Sequence, residues 1–219
     1  QLYQQLNQTK RIGYNKIYLM HIALFGGAFD PPHLGHLQVI QQILQHNLAD
    51  QIWVIPVGQH DFLKQMSSSK WRVEMLELLL AELPEHVRLA VQINLCEIER
   101  LGISHSLDTL NQLQLQHQEH QFSWIIGSDN LAKFHLWDRY QALLASYPVL
   151  VYPRTSFPFQ PLYPNMRSLS ELKTIDISST EIRATLSKCI DWSECHQLLT
   201  NWLPASIINF IQSHQLYWV

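Results

Sequence analysis

Two histidines spaced three residues apart, His33 and His36, stand in the segment of the chain that is richest in chemical groups. The segment reads IALFGGAFDPPHLGH from Ile22 to His36, so a glycine pair and an Asp-Pro-Pro turn precede the imidazoles. Residues three apart share one face of a helix, and imidazole N–H groups can donate hydrogen bonds to phosphate oxygens. Glycine lets the backbone approach a ligand closely. The pattern therefore predicts a phosphate-binding site.

A strand before the glycines and a helix after them must position these groups. The run from Ile22 to Phe25 is apolar, and beyond it apolar residues recur at the three- and four-residue spacing of a helix, at Leu37, Ile40, Leu44 and Leu48. A helix start presents unpaired N–H groups and attracts anions. A lone GG or H-x-x-H would indicate only a tight turn with surface histidines, whereas the full spacing GG-x-FDP-x-H-x-GH favours phosphate binding.

Two further segments carry groups suited to a nucleotide. IIGSDNLAKFHLW, from Ile125 to Trp137, places Asp129 after a strand, where a carboxylate suits a ribose hydroxyl pair or caps the next helix. DISSTEIR, from Asp176 to Arg183, combines hydroxyls that can cap a helix with an arginine that can hold phosphate. Taken alone, the second segment is more typical of a capped helix with a surface arginine; beside the histidine motif we favour a second phosphate site.

These three segments, in this order, resemble the signatures of the H-x-G-H nucleotidyltransferases, and most closely those of the nicotinate-nucleotide adenylyltransferases. The resemblance runs from about Met20 to the end of the sequence. It implies a single Rossmann-like α/β domain that transfers the adenylyl group of ATP to nicotinate mononucleotide, giving deamido-NAD and pyrophosphate. It also implies Mg²⁺ carried on the ATP phosphates, without a dedicated protein metal site.

The resemblance also implies roles for particular residues. His33, His36 and Arg183 would be catalytic and contact the ATP phosphates. Trp137 would stack on the pyridine ring, although a core tryptophan is the ordinary alternative, and Ser106 would approach the pyridine carboxylate. The substrate-binding residues expected on these grounds are Gly26, Gly27, Phe29, Lys64, Ser106, Gly127, Asp129, Trp137, Ile177, Ser178 and Ser179.

Two departures from the family pattern lie near the expected acceptor pocket. Gly58 to Lys64 replaces a P-P-H-K stretch, so the register of Lys64 is open, and His105 replaces an aromatic residue. An adenylyltransferase or cytidylyltransferase for nicotinamide mononucleotide or another phosphorylated acceptor is therefore the nearest alternative. A non-catalytic nucleotide sensor is a third, which the intact histidine and arginine clamps disfavour.

Composition restricts the class of protein. The 219 residues, 47% apolar and 15% charged, fit one globular domain. A net charge of −3 disfavours nucleic acid as a partner, and no apolar run reaches the roughly 18 residues of a membrane span. The cysteines, Cys96, Cys189 and Cys195, have no C-x-x-C spacing; we expect neither a disulfide framework nor a zinc site, in keeping with the cytoplasm.

Apolar runs alternate with helical patterns along the chain, which predicts an α/β doubly wound parallel sheet. Residues 1–19 are polar and weakly patterned, and we interpret them as an appendage before a domain at 20–219. The expected strands are 22–25, 51–57, 87–91, 122–126, 147–152 and 173–175. The expected helices are one from Leu37, then 71–83, 104–116, 140–145, 179–187 and two pieces at the end, the second starting at Pro204. Residues 154–169 are expected to form a long irregular loop.

Overall fold

A six-stranded parallel sheet forms the centre of the structure, a computed structural model that describes residues 19–59 and 66–218. The strand order is β3-β2-β1-β4-β5-β6, which is that of a doubly wound sheet. All five neighbouring pairs are parallel. The strands are β1 (His21–Gly27), β2 (Gln51–Pro56), β3 (Val91–Ile93), β4 (Gln121–Gly127), β5 (Val149–Tyr152) and β6 (Met166–Ser168).

Helices connect the strands and cover both faces of the sheet. They are α1 (Leu34–Gln45), α2 (Ser69–Ala81), α3 (Glu85–Arg88), α4 (Cys96–Glu99), α5 (Ser106–Gln116), α6 (Tyr140–Ser146), α7 (Ser179–Leu186), α8 (Trp192–Leu199) and α9 (Ala205–Ser213). A 3₁₀ helix, Ser128–Leu136, follows β4 directly. The predicted doubly wound α/β architecture is confirmed.

The sheet separates two hydrophobic clusters because side chains alternate between its faces. In β1, Ala23 and Phe25 face the cluster formed with α1, α2, α7, α8 and α9. Ile22 and Leu24 face the cluster formed with α5, α6 and the 3₁₀ helix. Central parallel strands buried on both faces are apolar almost throughout, which is why these strands are visible as apolar runs in the sequence.

The chain changes winding direction between β1 and β4, the two strands at the middle of the sheet. β1 pairs with β2 on one side and with β4 on the other, in the registers Gly27↔Pro56 and Phe25↔Ile125. In open α/β sheets a ligand crevice opens outside the carboxyl ends of the strands at such a switch point. The glycines at the end of β1 therefore lie where the fold favours binding.

Two predicted strands are wrong. Residues 87–91 were expected to be extended, but Glu85–Arg88 forms the short helix α3 after Pro84, and the strand begins only at Val91, which pairs with Ile52. The last strand lies at Met166–Ser168, inside the segment expected to be a loop, because those residues pair with the edge of β5. At 173–175 the backbone makes only an isolated bridge, between Ile175 and Arg154.

Helix starts also differ from the expected ones. The first helix starts at Leu34, three residues before Leu37, so His36 lies within its first turn. The helix expected from residue 104 starts at Ser106. Ser68 caps α2, because its Oγ accepts a hydrogen bond of 3.3 Å from the N–H of Trp71.

Cys189 and Cys195 lie side by side, although their spacing in the sequence indicated no disulfide framework. Asp191 caps α8 and turns the chain back, which brings the two Cα atoms within 6.1 Å across a separation of six residues. Cys96 is free and buried.

Residues 1–18, nearly all of the expected appendage, lie outside the part of the chain that the structure describes. Across residues 19–59 and 66–218, none of the helices is long and apolar enough to cross a membrane.

Candidate active site

A cavity of about 380 Å³ opens at the carboxyl ends of β1 and β4. Five residues selected from the sequence line it together, although they come from three separate segments: Gly26, Gly27, Ser106, Gly127 and Trp137. The remainder of the wall includes Phe25, Ser104, His105, Asn130 and Tyr152. The structure thus brings these segments together at the carboxyl ends of the strands.

Two glycines are required by the packing at this edge. A Cβ on Gly26 would collide with the ring of Trp124, which lies across β1 from the neighbouring strand. A Cβ on Gly127 would meet the carboxylate of Asp129 and the side chain of Arg154. Because both positions are glycine, no side chain covers the backbone there, and a ligand can lie close to it.

His33 and His36 stack on each other beside the cavity, with ring centroids 3.7 Å apart and planes inclined by 28°. His36 Nδ1 accepts a 3.0 Å hydrogen bond from the backbone N–H of His33. That bond requires Nδ1 to be unprotonated, so the hydrogen of a neutral ring is on Nε2. Phe25, which lines the cavity, packs against His36 with centroids 5.7 Å apart.

Both imidazoles are uncharged near neutral pH. Burial, followed by the nearby charge of Arg154, lowers the pKa of His36 to about 3. Burial, followed by His36 and Arg154, holds the pKa of His33 well below its ordinary value. The pair can therefore donate hydrogen bonds to phosphate as neutral groups, and among the described residues Arg154 and Arg183 bring positive charge to the site.

The backbone at the start of α1 offers fewer donors than expected. The N–H of Leu34 donates to the carbonyl of Trp202 at 2.8 Å, and that of His36 donates to the carbonyl of His33 at 2.9 Å. The expectation of a helix start rich in unpaired N–H groups is thus wrong for these two positions. His33 Nδ1, in contrast, is buried and has no hydrogen-bond partner among the described residues.

The polar groups at the start of α7 are bonded within the protein. Ser178 caps the helix: its Oγ accepts from the N–H of Glu181 and donates to the Glu181 carboxylate at 2.7 Å. Ser179 Oγ donates to the carbonyl of Pro31 at 2.9 Å, which ties α7 to the histidine loop. The serine hydroxyls are therefore engaged within the protein, while the helix start keeps its electropositive character.

Arg183 lies under the same loop. Its Nη1 donates to the carbonyl of Asp30 at 2.5 Å, and its Nη2 lies 3.5 Å from Thr180 Oγ1. The side chain is half-buried and forms no ion pair with a carboxylate of the described residues. Its charge therefore remains available to an anion bound beside the histidines.

Arg154, which the sequence analysis missed, connects two of the selected segments. Its Nη1 donates to the carbonyl of Ile177 at 2.6 Å, and its Nε lies 3.9 Å from Asp129 Oδ1. The side chain is 14% exposed and acts on the charge state of both histidines. Its position in the sequence is the one indication of this role. Arg154 lies two residues after the buried strand β5, and other cleft residues also lie at or just after the ends of their strands.

Glu97 is a second residue that the sequence analysis missed, and it lies behind the wall of the cavity that Ser104, His105 and Ser106 form. It is 4% exposed, and Thr109 Oγ1 donates to its Oε1 at 2.6 Å. Burial raises the pKa of Glu97, opposed by hydrogen bonds from Thr109 and Ser104. Since Ser104 Oγ also accepts from the N–H of Gly58 at 3.2 Å, this carboxylate supports the rim made by Ser104 to Ser106.

The remaining selected residues are placed as follows. Trp137 lines the cavity and also packs on Phe134, with centroids 4.9 Å apart, so it is partly a core residue. Phe29 is 2% exposed and packs edge-on against Phe25, so its side chain does not line the cavity. Asp129 is exposed beside the cavity. Lys64 lies outside the described residues, as does His60.

Comparison with known proteins identifies relatives of this arrangement. A family model described as cytidylyltransferase-like matches residues 24–185. A probable nicotinate-nucleotide adenylyltransferase of Bacillus pumilus is 32% identical over 90% of this chain and 97% of its own. The nicotinate-nucleotide adenylyltransferase of Bacillus subtilis is 32% identical over 74% of this chain and 83% of its own.

Solved structures share the fold. The Plasmodium falciparum nicotinic acid mononucleotide adenylyltransferase complexed with NaAD superposes with a TM-score of 0.76, at 22% identity, over 90% of this chain and 97% of that one. A putative nicotinate-nucleotide adenylyltransferase from Vibrio parahaemolyticus superposes with a TM-score of 0.65, at 20% identity, over 91% and 96% of the two chains.

The low pKa of His36 predicts an acid-sensitive fold. A histidine takes up a proton in the unfolded state below about pH 6.5, whereas folded His36 resists protonation down to about pH 3. Its contribution to stability is thus full above pH 6.5 and is lost as the pH falls, by about 1.4 kcal/mol per pH unit. His36→Asn should flatten the dependence of the free energy of unfolding on pH between 6.5 and 4, measured by urea titration. Equal slopes for both proteins would contradict the assignment.

Proposed function

The chain belongs to the nicotinate-nucleotide adenylyltransferase family of cytidylyltransferase-like proteins, and on that basis we propose how its site transfers the adenylyl group of ATP to nicotinate mononucleotide. The products are deamido-NAD and pyrophosphate. The observation that carries the proposal is the stacked His33–His36 pair at the end of β1, beside a cavity whose far wall holds Trp137 and Ser106. Residues 20–219 carry the activity.

The reaction is a direct displacement at phosphorus. An oxygen of the mononucleotide 5′-phosphate attacks the α-phosphorus of ATP and forms the new P–O bond. The bond to the bridging oxygen of pyrophosphate breaks on the opposite side, and that oxygen takes the electron pair. No covalent bond to the protein is needed, so the chain has to align the two reactants and stabilise the charge that shifts to the leaving group.

The histidines and Arg183 serve the ATP phosphates in this proposal. His36 offers Nε2–H as a neutral donor, because its Nδ1 is held by the N–H of His33. Arg183 provides positive charge beside the loop, and the start of α7 adds its dipole. Gly26, Gly27 and the backbone of Ile177 leave room for the nucleotide to pass between these groups.

The cavity wall opposite the histidines suits the pyridine ring and the ribose of the acceptor. Trp137 offers an aromatic face, and Ser106 at the start of α5 offers a hydroxyl and a backbone N–H. Asp129, at the end of β4, suits the hydroxyl pair of a ribose. The protein acts in the cytoplasm in this proposal, where ATP and free mononucleotides are available.

Mg²⁺ enters as the counter-ion of ATP. Among residues 19–59 and 66–218, histidine, cysteine and carboxylate side chains form no group of three or more that could hold a metal ion. These residues therefore do not fit a dedicated ion site. Phosphate oxygens and water, which are ligands that Mg²⁺ commonly retains, supply its coordination.

His36→Ala tests the phosphate site. Removal of one preorganised donor to a charge-bearing oxygen should lower kcat by roughly 10²–10³-fold. His46→Ala, an exposed histidine at the opposite end of α1, is the matched control and should retain wild-type turnover. The measurement is pyrophosphate release with saturating ATP and nicotinate mononucleotide. Turnover of His36→Ala within threefold of wild type would refute the assignment of the phosphate site.

The acceptor assignment is tested by comparing nicotinate and nicotinamide mononucleotides. These differ only in a carboxylate against an amide, and backbone N–H groups near Ser106 and after Trp137 would favour the carboxylate, because an N–H donates to a carboxylate oxygen and cannot accept from the amide NH₂. An unsatisfied buried polar contact costs about 1–3 kcal/mol, so kcat/KM should favour nicotinate mononucleotide by at least about tenfold. Trp137→Ala should lower both values together. An equal or better rate with nicotinamide mononucleotide would keep adenylyl transfer but replace the acceptor.

A further inference from the structure

Asp30, three residues before His33, joins three segments that are distant in the sequence. Its carboxylate is 1% exposed, and Oδ1 accepts a 2.5 Å hydrogen bond from the hydroxyl of Tyr217. Oδ2 accepts from the backbone N–H of Ser67 at 3.2 Å, and the carbonyl of Asp30 accepts from Arg183 at 2.5 Å. One buried residue thus connects the histidine loop to α7 and to the segment after α9.

A buried arginine beneath the loop completes this cluster. Arg72 is 1% exposed and donates to the backbone carbonyls of Ala28 and Val57 at 2.8 Å each, and to that of Ser67 at 3.2 Å. Burial lowers the pKa of Arg72, and the nearby charge of Asp30 opposes that shift. Ala28 and Asp30 therefore both have carbonyls held by arginine.

The segment after α9 has an unusual path to reach Asp30. Gln215 and Tyr217 both have positive φ, 52° and 64°, and Leu216 between them is 6% exposed in the hydrophobic core. Two non-glycine residues in the left-handed region each carry a conformational cost. Such a path persists only where contacts outweigh the cost, and the contacts here are the buried Leu216 and the hydroxyl of Tyr217 on Asp30.

We propose that Tyr217 is a positioning residue of the phosphate site: through Asp30 it fixes the loop at residues 28–31, and so the placement of Arg183 and the histidines for ATP. Tyr217 itself touches no reacting atom. Among the described residues, no other side chain donates a hydrogen bond to Asp30 Oδ1. The kinetic part of this inference depends on the proposed adenylyl transfer, whereas its binding part requires only that ATP occupies the site.

Tyr217→Phe is the sharpest variant, because it removes the hydroxyl and keeps the ring. Tyr147→Phe is a matched control. Tyr147 donates one hydrogen bond, of 2.9 Å, to Asn111 Oδ1, and it precedes β5, at the amino ends of the parallel strands. Both variants lose one buried tyrosine hydrogen bond, so both should lower the melting temperature. Only Tyr217→Phe should alter nucleotide affinity.

The first readout is binding of α,β-methylene-ATP, an analogue that cannot transfer its adenylyl group, measured by calorimetry. Tyr217→Phe should weaken it by about 5- to 30-fold, which corresponds to about 1–2 kcal/mol, while Tyr147→Phe stays within twofold of wild type. In turnover, KM for ATP should rise and KM for the mononucleotide should remain within twofold. Equal effects of the two variants, or equal losses for the two substrates, would overturn the proposal.

Asp30→Ala provides a second variant, which removes the acceptor of the Tyr217 hydroxyl. If Tyr217 acts through Asp30, the double variant should bind the analogue no more weakly than the weaker single variant, because both changes break the same contact. Additive losses would overturn the proposal. Wild-type protein that binds the analogue but releases no pyrophosphate with any mononucleotide would refute the proposed function and leave the binding comparison valid; wild-type protein that does not bind it would refute both.

Discussion

The hydrogen bond from the N–H of His33 to Nδ1 of His36 is the constraint on which the chemistry of the site depends. It fixes the tautomer of one ring and holds the two rings in a stack, so that a donor without charge is presented at a set position. A protonated ring could not accept this bond. Burial of the ring lowers the pKa of His36, and the neutral ring that results is the form that can accept the bond and keep the stacked geometry.

The rest of the fold serves to hold that pair where a nucleotide can reach it. β1 is buried on both faces and ends in two glycines, so the chain leaves the sheet at the switch point with little bulk above it. Carbonyls of the following loop are then held by Arg72 from α2 and by Ser179 and Arg183 from α7. Positive charge is kept on arginines around the loop, which suits triphosphate better than a histidine that gains and loses its proton.

Local signals made much of this predictable from the sequence. Neighbouring residues encode the motif after β1, the glycines at the ends of β1 and β4, and the capped start of α7. The cavity lies where the ends of the strands had placed these groups. The partners of Arg154, Glu97 and Asp30 were not predictable, because each contact joins segments far apart in the chain. The last strand was misplaced for a related reason: whether 166–168 or 173–175 is extended depends on which one reaches the free edge of β5, and both are short and only partly apolar. The Cys189–Cys195 pair likewise depends on a turn that the spacing alone does not reveal.

The most direct test of this account is the protonation state of His36 in solution. In protein labelled with ¹⁵N in its histidine rings, and with His36 assigned through the His36→Asn variant, NMR at pH 7 should show an unprotonated Nδ1 and a protonated Nε2. Addition of α,β-methylene-ATP should shift the Nε2 resonance and leave the ring neutral, because the phosphate accepts a hydrogen bond and takes no proton from the ring. A His36 ring protonated on both nitrogens at pH 7, with or without the nucleotide, would contradict it.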